Sequence, residues 1–523
     1  MPTPSQIEEQ VKLEKEQINQ GVDRLRSNTR DLECKEYASA SIYGCSFIKS
    51  ILPTFIQIIE ESQWKLKKGH SGHLYKEQHA YLNTLPADAA ALITCKVAFD
   101  KIFSTKPNSN RVNTITKAIG AALEAECQII FYEETVPGLL KYIQNQYWHA
   151  SSGTHHKLKT VKTKMGHKED IEHWVPWSEA IKVKLGGHFL EIFTSVTDWF
   201  DKKEVRQGRH GTLILQPTLK FIEQRDEIMG IAELYAPLLW PMYVPPNPWE
   251  YIDGKVRPGG YLLNELMKGH AMVRHGKSTT IQGEIPRTFL NQIQEVGYRV
   301  STFVLDVAET LEERGYSVGK FIPIVEAEMP VKPLDIAEKG DSWKEYNRLA
   351  ADAHNRNSQA FRKSCRTRMT MEAARRFRNV DEYFIPWSFD YRGRVYPIPS
   401  FLTPQDTDFG KALIRFANES PMTNDAHRWL AFQVATTYGK DKNTWDERQD
   451  WVKDNLFTIT LVATDPIGHL SEWEGAEEPW QFLAACNEYY HCCIIQDRSI
   501  TGLPVAIDAT CSGLQILAGL ARD

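Results

Sequence analysis

The sequence has no paired cysteine spacing, no long apolar run and no excess of positive charge. Its nine cysteines are scattered without CxxC pairs, which argues against a zinc site or a disulfide framework and indicates reduced thiols. No apolar run approaches roughly 18 residues, so we expect no membrane-spanning segment and no membrane partner. The net charge of −5 provides no global basic field, so binding to a polyanion would require a local basic patch.

The amino terminus lacks a targeting pattern. Its first nine residues, Met-Pro-Thr-Pro-Ser-Gln-Ile-Glu-Glu, contain two acids, no arginine and no apolar core. A secretory signal requires the apolar core, and a mitochondrial transit peptide is rich in arginine. We therefore expect the protein to work in the cytoplasm.

The length of 523 residues predicts about two to four domains rather than one core. Apolar residues at helical spacing dominate residues 6–240, where the charged stretch Gln6–Arg26 indicates a solvated helix. Further along the chain, the same spacing predicts long helices at Phe289–Glu313 and Asp341–Asn379. The predicted fold is mainly α, with an α+β segment in the last part of the chain.

Residues 203–222 carry the pattern of a β-hairpin with a basic tip. Arg206, Gly208 and Arg209 separate two segments in which polar and apolar residues alternate. A solvated hairpin without a ligand and a hairpin that contacts nucleic acid both fit this pattern.

The densest basic region runs from Arg356 to Arg394. Ten arginines and lysines face four acids there, a local charge of +6. A solvated charged helix face explains many such runs. Here the run leads into an Arg-Gly-Arg turn beside Trp387, Phe389 and Tyr396, and arginine with aromatic residues suits phosphate contact and base stacking.

The turn itself, Asp390–Tyr396, has the residues of a ligand-binding loop. Gly393 permits a close turn of the backbone, while Arg392 and Arg394 offer guanidinium groups to phosphates. Asp390 lies beside two arginines, so we expect it to orient one of them rather than to bind a metal.

The end of the sequence places a carboxylate between a predicted strand and a predicted helix. The apolar run Leu503–Ile507 indicates a buried strand, Asp508 follows it, and helical spacing begins at Leu514. Such an aspartate can cap a helix or form a turn. It can also hold Mg²⁺, which prefers oxygen ligands and the phosphates of a substrate.

Two of these segments resemble motifs of one enzyme family. Residues 508–515, Asp-Ala-Thr-Cys-Ser-Gly-Leu-Gln, resemble the first catalytic-aspartate motif of the single-subunit, phage-type DNA-directed RNA polymerases. Residues 390–397, Asp-Tyr-Arg-Gly-Arg-Val-Tyr-Pro, are similar to the Asp-x-x-Gly-Arg signature of the same family, at about the right distance upstream. The chain departs from the family at Ala509, where glycine is usual, and at Ile516, where histidine is usual.

The resemblance implies roles for the residues that match. Asp508 would bind both catalytic Mg²⁺ ions, with the backbone carbonyl of Ala509 as a further ligand. The signature would contact the template strand through residues Arg392, Gly393, Arg394 and Tyr396, oriented by Asp390. The hairpin, with Arg206 and Arg209, would wedge between promoter strands. The implied partners are double-stranded promoter DNA, the template strand, ribonucleoside triphosphates and the RNA product.

The same resemblance implies a division of the chain and an incomplete enzyme. Residues 1–295 would form an N-terminal promoter-binding helical domain, 296–380 thumb-like helices, and 381–523 the first part of the palm. The family's nucleotide-closing fingers helix and its His-Asp motif with the second catalytic aspartate would follow Asp508, but the sequence contains no His-Asp dipeptide.

Two hypotheses about function follow from this incomplete set of motifs. In the first, the chain would be the N-terminal portion of a polymerase that uses two metals. This portion would be inactive alone, and a second chain could supply the fingers and the second catalytic aspartate. In the alternative it would be a non-catalytic promoter-binding or nucleic-acid-binding module. If a phage encodes it, its compartment would be the host cytoplasm.

Overall fold

The computed structural model describes most of the chain. The described residues are 2–67, 85–147, 159–161, 163–164, 173–207, 210–264, 271–274, 282–333, 340–507, 517–518 and 521. These residues divide into two compact units, one formed by 20–236 and the other by 1–19 together with 237–523. Helix α1, Pro4–Cys34, has residues in both units.

The unit formed by residues 20–236 is mainly helical, as predicted. After α1 it contains a short 3₁₀ turn, six further helices and one antiparallel hairpin within its described residues: Ala38–Ala40, α2 Ile42–Lys67, α3 Ala87–Ile102, α4 Val112–Thr135, α5 Leu139–Tyr147, α6 Glu179–Val196, β1 Phe200–Gln207, β2 His210–Pro217 and α7 Leu219–Glu233. Its core is rich in phenylalanine, with Phe55, Phe99, Phe193 and Phe221 fully buried.

Helices α4 and α6 approach each other closely at two glycines. A Cβ atom on Gly120 would lie 2.0 Å from the backbone oxygen of Lys182, and one on Gly186 would lie 1.9 Å from that of Thr116. Real Cβ atoms do not approach a backbone oxygen so closely, so only glycine fits at this helix crossing.

The hairpin predicted in residues 203–222 is confirmed. Strands β1 and β2 pair in register from Phe200 with Pro217 to Gln207 with His210, which leaves a two-residue connection. Two-residue loops are the commonest connections in hairpins.

By length and composition alone, one described helix could cross a membrane, although the sequence contains no long uninterrupted apolar run. The stretch Ile42–Lys65 of α2 has 24 residues. Its apolar side chains Tyr43, Phe47, Ile51 and Phe55 are buried in the core of the unit. Packing in this core therefore accounts for the apolar face that these four side chains form.

The second unit combines helices with short strands, as expected for an α+β segment. Its described elements after α1 are β3 Glu250–Ile252, β4 Lys255–Arg257, α8 Glu284–Gln294, β5 Gly297–Val300, α9 Thr302–Glu313, α10 Asp341–Lys363, α11 Cys365–Phe377, β6 Tyr383–Phe384, β7 Trp387–Phe389, β8 Val395–Pro397, α12 Asp408–Ala412, β9 Ile414–Phe416, β10 Ser420–Pro421, α13 Asn424–Ala435, a π-helical turn Thr436–Lys440, α14 Trp445–Asp454, α15 Leu456–Thr464, a 3₁₀ turn Leu470–Glu472, α16 Pro479–Tyr489, a second π-helical turn Tyr490–Ile494 and β11 Ile500–Thr501. The fold is thus mainly α with small antiparallel sheets.

The prediction that this unit contains two long continuous helices is wrong, because each is interrupted. Strand β5 separates α8 from α9, because residues 297–300 pair with β6 on one side and β9 on the other in a three-stranded antiparallel sheet. Tertiary pairing overrides the helical spacing there. The second long helix is broken at Ser364, which is fully buried and bonds the carbonyl of Phe361 at 3.2 Å.

The interpretation of Gln6–Arg26 as a solvated helix is also wrong. Gln10, Glu14 and Gln17 of α1 are completely buried. Their side-chain oxygens accept hydrogen bonds from backbone N–H groups of a proline-punctuated segment: Tyr243 to Gln10 (2.7 Å), Leu262 and Leu263 to Glu14 (3.0 and 2.7 Å), and Trp240 to Gln17 (3.3 Å). These four residues lie outside the strands of the segment, and buried polar side chains satisfy their backbone donors instead.

Replacing Glu14 with alanine is expected to lower the free energy of unfolding by about 3 kcal/mol, because three donors lose their acceptor in the interior. Those donors are the N–H groups of Leu262 and Leu263 and the amide of Gln10. Urea denaturation followed by fluorescence would measure the change. Glu8→Ala, at an exposed position of the same helix, is the control, and equal effects of the two substitutions would contradict the prediction.

Candidate nucleic-acid interface

Residues 390–394 form the loop of a short hairpin between β7 and β8. The two strands pair antiparallel, with Ser388 opposite Tyr396 and Phe389 opposite Val395. The N–H of Asp390 donates to the carbonyl of Arg394 at 2.8 Å, and the N–H of Gly393 donates to the carbonyl of Asp390 at 3.1 Å. Gly393 has φ +80°, in the left-handed region that favours glycine. The loop is therefore closed by its own backbone.

The carboxylate of Asp390 holds this loop together. Its carboxylate accepts bonds from the backbone N–H groups of Arg392 and Arg394, both at 2.9 Å, and from Nε of Arg392 at 3.1 Å. Partial removal from water raises the pKa of Asp390, but these hydrogen bonds outweigh that effect and hold the pKa below its ordinary value. The group is therefore a stable anion that orients Arg392.

Arg394 differs from Arg392 in having no compensating anion. Arg394 is exposed, and its guanidinium makes no ion pair with a carboxylate among the described residues. Tyr391 is 84% exposed beside it, and the guanidinium of Arg392 lies 5.5 Å from the Tyr391 ring centre. The loop thus presents a free cation and an aromatic ring to solvent.

Most of the basic region upstream is internally neutralised. Six of its ten cations pair with described carboxylates: Arg356 with Asp352, Arg366 with Asp406, Arg375 with Glu309 and Glu312, Arg376 with Glu16, Arg378 with Asp306 and Glu309, and Arg392 with Asp390. The guanidinium of Arg368 lies 3.9 Å from the ring centre of Phe361. Within the described chain, the cations without such contacts are Arg362, Lys363 and Arg394. The local charge of +6 therefore overstates the positive charge that is available to bind a polyanion.

Sequence reasoning missed one residue at the hairpin. Arg274 packs its guanidinium 5.2 Å from the ring centre of Tyr396 and donates to Ser388 Oγ at 3.2 Å. It lies 114 positions before Ser388 in the chain, and no local pattern around it signals this contact.

Four of the predicted site residues fall wholly or partly outside the structural description. Asp508, Ala509 and Arg209 lie outside the described residues. The backbone of Arg206 lies in β1, opposite Gly211, but its side chain lies outside the description. The structure therefore brings together Asp390, Arg392, Gly393, Arg394 and Tyr396 only.

The buried strand predicted at Leu503–Ile507 is wrong. Strand β11 ends at Thr501, the next residues form no ladder, and Ile507 is 73% exposed. Their N–H groups find side-chain acceptors instead: Leu503 donates to Thr501 Oγ1 at 3.3 Å and Ala506 to Gln433 Oε1 at 3.3 Å. An apolar pattern reports a preference for burial, but a strand also needs a neighbouring backbone.

No cluster of three or more histidine, cysteine or acidic side chains that could hold a metal ion occurs among the described residues. The neighbouring carboxylates of the hairpin region are used in ion pairs with arginine. The Mg²⁺ ligands predicted from the sequence, Asp508 and Ala509, stay a prediction.

Comparisons with known proteins identify the family of the chain. Residues 9–283, more than half of the chain, match the family model described as DNA-directed RNA polymerase N-terminal. Residues 420–523 match the model described as DNA-dependent RNA polymerase. The chain belongs to the family of single-subunit, phage-type DNA-directed RNA polymerases.

Its relatives come from phages and from organelles. The chain is 26% identical to T7 RNA polymerase of Escherichia phage T7, over 98% of this chain and 59% of that protein. It is 24% identical to a chloroplastic DNA-directed RNA polymerase of Nicotiana tabacum, over 98% of this chain and 56% of the relative. A mitochondrial DNA-directed RNA polymerase of Neurospora crassa is 29% identical over 61% of this chain and 23% of its own length. The chain thus spans less than two thirds of these relatives.

Proposed function

We propose that the chain is the N-terminal portion of a DNA-directed RNA polymerase and that it holds the template strand beside the site of ribonucleotidyl transfer. The observation that supports this best is the 390–394 hairpin, in which Asp390 fixes the loop and Arg394 is left without an anion. A guanidinium without a carboxylate partner, on a loop that is closed by hydrogen bonds, suits a phosphate group. Family membership supports the same role.

Catalysis would depend on Asp508. In this proposal its carboxylate and the backbone carbonyl of Ala509 would hold Mg²⁺, and the ion would supply positive charge to the phosphates of a ribonucleotide in a two-metal transfer. The described residues offer no further carboxylate cluster. Fingers and a second catalytic aspartate would have to come from sequence beyond these 523 residues or from a second chain. The ribonucleoside triphosphates and the RNA product are partners of that complete site.

The remaining regions receive their roles from the family. Residues 1–295 would bind promoter DNA, with Arg206 and Arg209 at the tip of the β1–β2 hairpin between the strands. Residues 296–380 would act as the thumb, and 381–523 would begin the palm. The enzyme would act in the cytoplasm, that of the host if a phage encodes it.

The alternative is a non-catalytic module that binds promoter or other nucleic acid without chemistry. Ion pairing of most arginines in 356–394 does not separate the two functions, because both need Arg394. The Asp508 motif distinguishes them, since a binding module has no use for a metal-binding carboxylate.

Arg394→Ala is expected to weaken binding of single-stranded DNA by about fivefold at about 0.1 M salt, the effect of one lost phosphate contact. Thermal stability should be unchanged, because the Arg394 side chain has no ion-pair partner among the described residues. Fluorescence anisotropy with a labelled oligonucleotide and a melting curve would measure the two quantities. In a complete polymerase, the same substitution should reduce template-dependent synthesis more than stability.

Arg314→Ala provides a matched control. Arg314 is exposed, follows α9 and also makes no ion pair with a described carboxylate. If both substitutions weaken binding equally, the hairpin has no special role. If Arg394→Ala lowers stability as much as binding, Arg394 is structural and the proposed function loses its main support.

A further inference from the structure

A mostly apolar cleft of about 350 Å³ lies in the second unit, beside residues 503–507, all five of which line it. Tyr298 of β5 and Ile414 and Phe416 of β9 also line the cleft, so it borders the three-stranded sheet. Small-molecule sites in proteins are clefts of about 300–1,000 Å³ with apolar walls and a few polar groups. The volume and the character of this cleft match such a site.

Aromatic side chains form part of the wall of the cleft. Tyr298 and Trp387 are 5% and 4% exposed, so their rings are held within the core. The rings of Tyr298 and Phe416 stack with their centres 5.6 Å apart. A flat aromatic ligand suits this wall, because offset-stacked and edge-to-face contacts between rings are favourable.

One buried polar group faces into this apolar cleft. Gln433 lines the cleft and is 3% exposed. Its Oε1 accepts from the N–H of Ala506 at 3.3 Å, which fixes the orientation of the amide. Its Nε2 has no hydrogen-bond partner among the described residues and is not enclosed by protein atoms, so this nitrogen faces the cleft. A ligand with an acceptor would satisfy the donor, and leaving a buried donor unpaired costs free energy.

Two further groups of the wall favour an acceptor on the ligand. The indole N–H of Trp387 is enclosed and has no acceptor in the described chain. Lys411 is half-buried, lines the cleft and makes no ion pair with a described carboxylate. Asp408 and Glu478 attract it from a longer distance. The polar part of the wall therefore consists mainly of donors.

We propose that this cleft binds a small, largely aromatic molecule that carries a hydrogen-bond acceptor, such as a carboxylate or a carbonyl group. The ring packs against Tyr298, Trp387 and Phe416, and the acceptor receives a hydrogen bond from Nε2 of Gln433. The molecule lies against residues 503–507, the stretch that directly precedes Asp508. The proposed polymerase function does not require this ligand, so the inference goes beyond that function.

Two dyes with the same ring skeleton test the need for an acceptor. Anilinonaphthalene sulfonate carries an anionic acceptor group, and phenylnaphthylamine is the same skeleton without that group. Each dye is titrated into the full chain, and its fluorescence gives a Kd. The sulfonate should bind about tenfold more tightly, the effect of one hydrogen bond between a buried donor and a charged acceptor.

Substitutions at the cleft test where the dyes bind. Gln433→Glu removes the free donor but keeps an oxygen for the N–H of Ala506, so it should weaken binding of the sulfonate about tenfold and change that of phenylnaphthylamine less than about twofold. Gln292→Glu is the matched control, because Gln292 is exposed on α8 and does not line the cleft. Ala484→Phe places a ring in the cleft and should weaken binding of both dyes.

A second measurement uses the unmodified chain and does not depend on folding of a variant. Hydrogen exchange is followed with and without the sulfonate dye, and exchange should slow at residues 503–507. Sedimentation velocity of the same samples shows whether the chain is a monomer, because a second copy that covered the cleft would exclude the dye.

Three results would overturn the inference. Equal Kd values for the two dyes would show that the cleft has no use for an acceptor. Binding that is unchanged in Ala484→Phe, or protection from exchange outside residues 503–507 only, would place the dyes elsewhere. A dimer that binds dye only after it dissociates would make a second copy the occupant. None of these results bears on DNA binding by Arg394, so the proposed function is tested separately.

Discussion

Replacing Glu488 with alanine is expected to lower the free energy of unfolding by about 3 to 4 kcal/mol, the cost of breaking a buried ion pair. The Glu488 side chain is completely buried, and both of its oxygens accept from Arg415, at 2.6 and 2.9 Å. Thr501 also donates to it at 2.7 Å. Without Glu488, the half-satisfied Arg415 would keep only Glu419, at 3.2 Å.

The same pair predicts a dependence of stability on pH. Burial raises the pKa of Glu488, but the hydrogen bonds and charge of Arg415 outweigh burial and hold the pKa below the ordinary value of 4.5. Because the folded pKa is the lower one, the stabilisation is complete above about pH 4.5 and is lost as pH falls through the folded pKa. The substitution should therefore remove part of the acid sensitivity of unfolding.

Guanidinium denaturation of the two proteins at neutral and acidic pH would measure both effects. Asp450→Ala is the control, because Asp450 forms an exposed ion pair with Lys453 at 2.8 Å, with both side chains more than 60% accessible, and such pairs contribute little. If Glu488→Ala and Asp450→Ala change stability equally, the buried pair is not stabilising. Glu488→Gln keeps one acceptor oxygen but loses the charge and the second acceptor, since both carboxylate oxygens accept from Arg415, and its effect should fall between the two.

A protein consisting of these 523 residues is expected to show no template-dependent incorporation of ribonucleotides with Mg²⁺. The predicted two-metal site has a single carboxylate, Asp508, and two ions about 3.5–4 Å apart need more than one. The described residues contain no group of three or more histidine, cysteine or acidic side chains that could hold a metal ion. Primer extension with labelled ribonucleotides on a DNA template would measure incorporation.

Incorporation that disappears in Asp508→Asn would contradict this expectation and would show that the chain is sufficient for catalysis. Binding of single-stranded DNA should persist in the same preparation, because the hairpin is complete within the described residues. Activity that appears only when a polypeptide matching the rest of the relatives is added would support the polymerase portion over the binding module.

The parts of the site that were predictable from sequence are local in the chain. Arg392, Gly393 and Arg394 lie within a five-residue loop, so turn chemistry and charge are enough to indicate a turn there, and the orienting role of Asp390 is a prediction from the adjacent charges. The contact of Arg274 with the same hairpin depends on tertiary folding across more than a hundred residues, and no periodicity encodes it. The roles of Asp508 and Ala509 stay predictions.

Errors at the level of the fold have a common physical cause. The charge of α1 predicts exposure to solvent, but a polar residue can be buried when it satisfies backbone donors, as Gln10 and Glu14 do. Similarly, the charge summed over residues 356–394 does not include acids such as Glu309 and Glu16. These acids are distant in sequence but pair with arginines of the segment in space. The sequence pattern of one segment does not indicate which distant residues contact that segment in the folded protein.

The recognition of main-chain groups by α1 also affects which positions can tolerate change. Gln10, Glu14 and Gln17 bond to amide hydrogens that every residue except proline possesses. Side chains at 240, 243, 262 and 263 can therefore vary without loss of these bonds, provided that none becomes proline. Substitution tolerance should consequently be low at the three helix positions and set mainly by packing in the segment they hold.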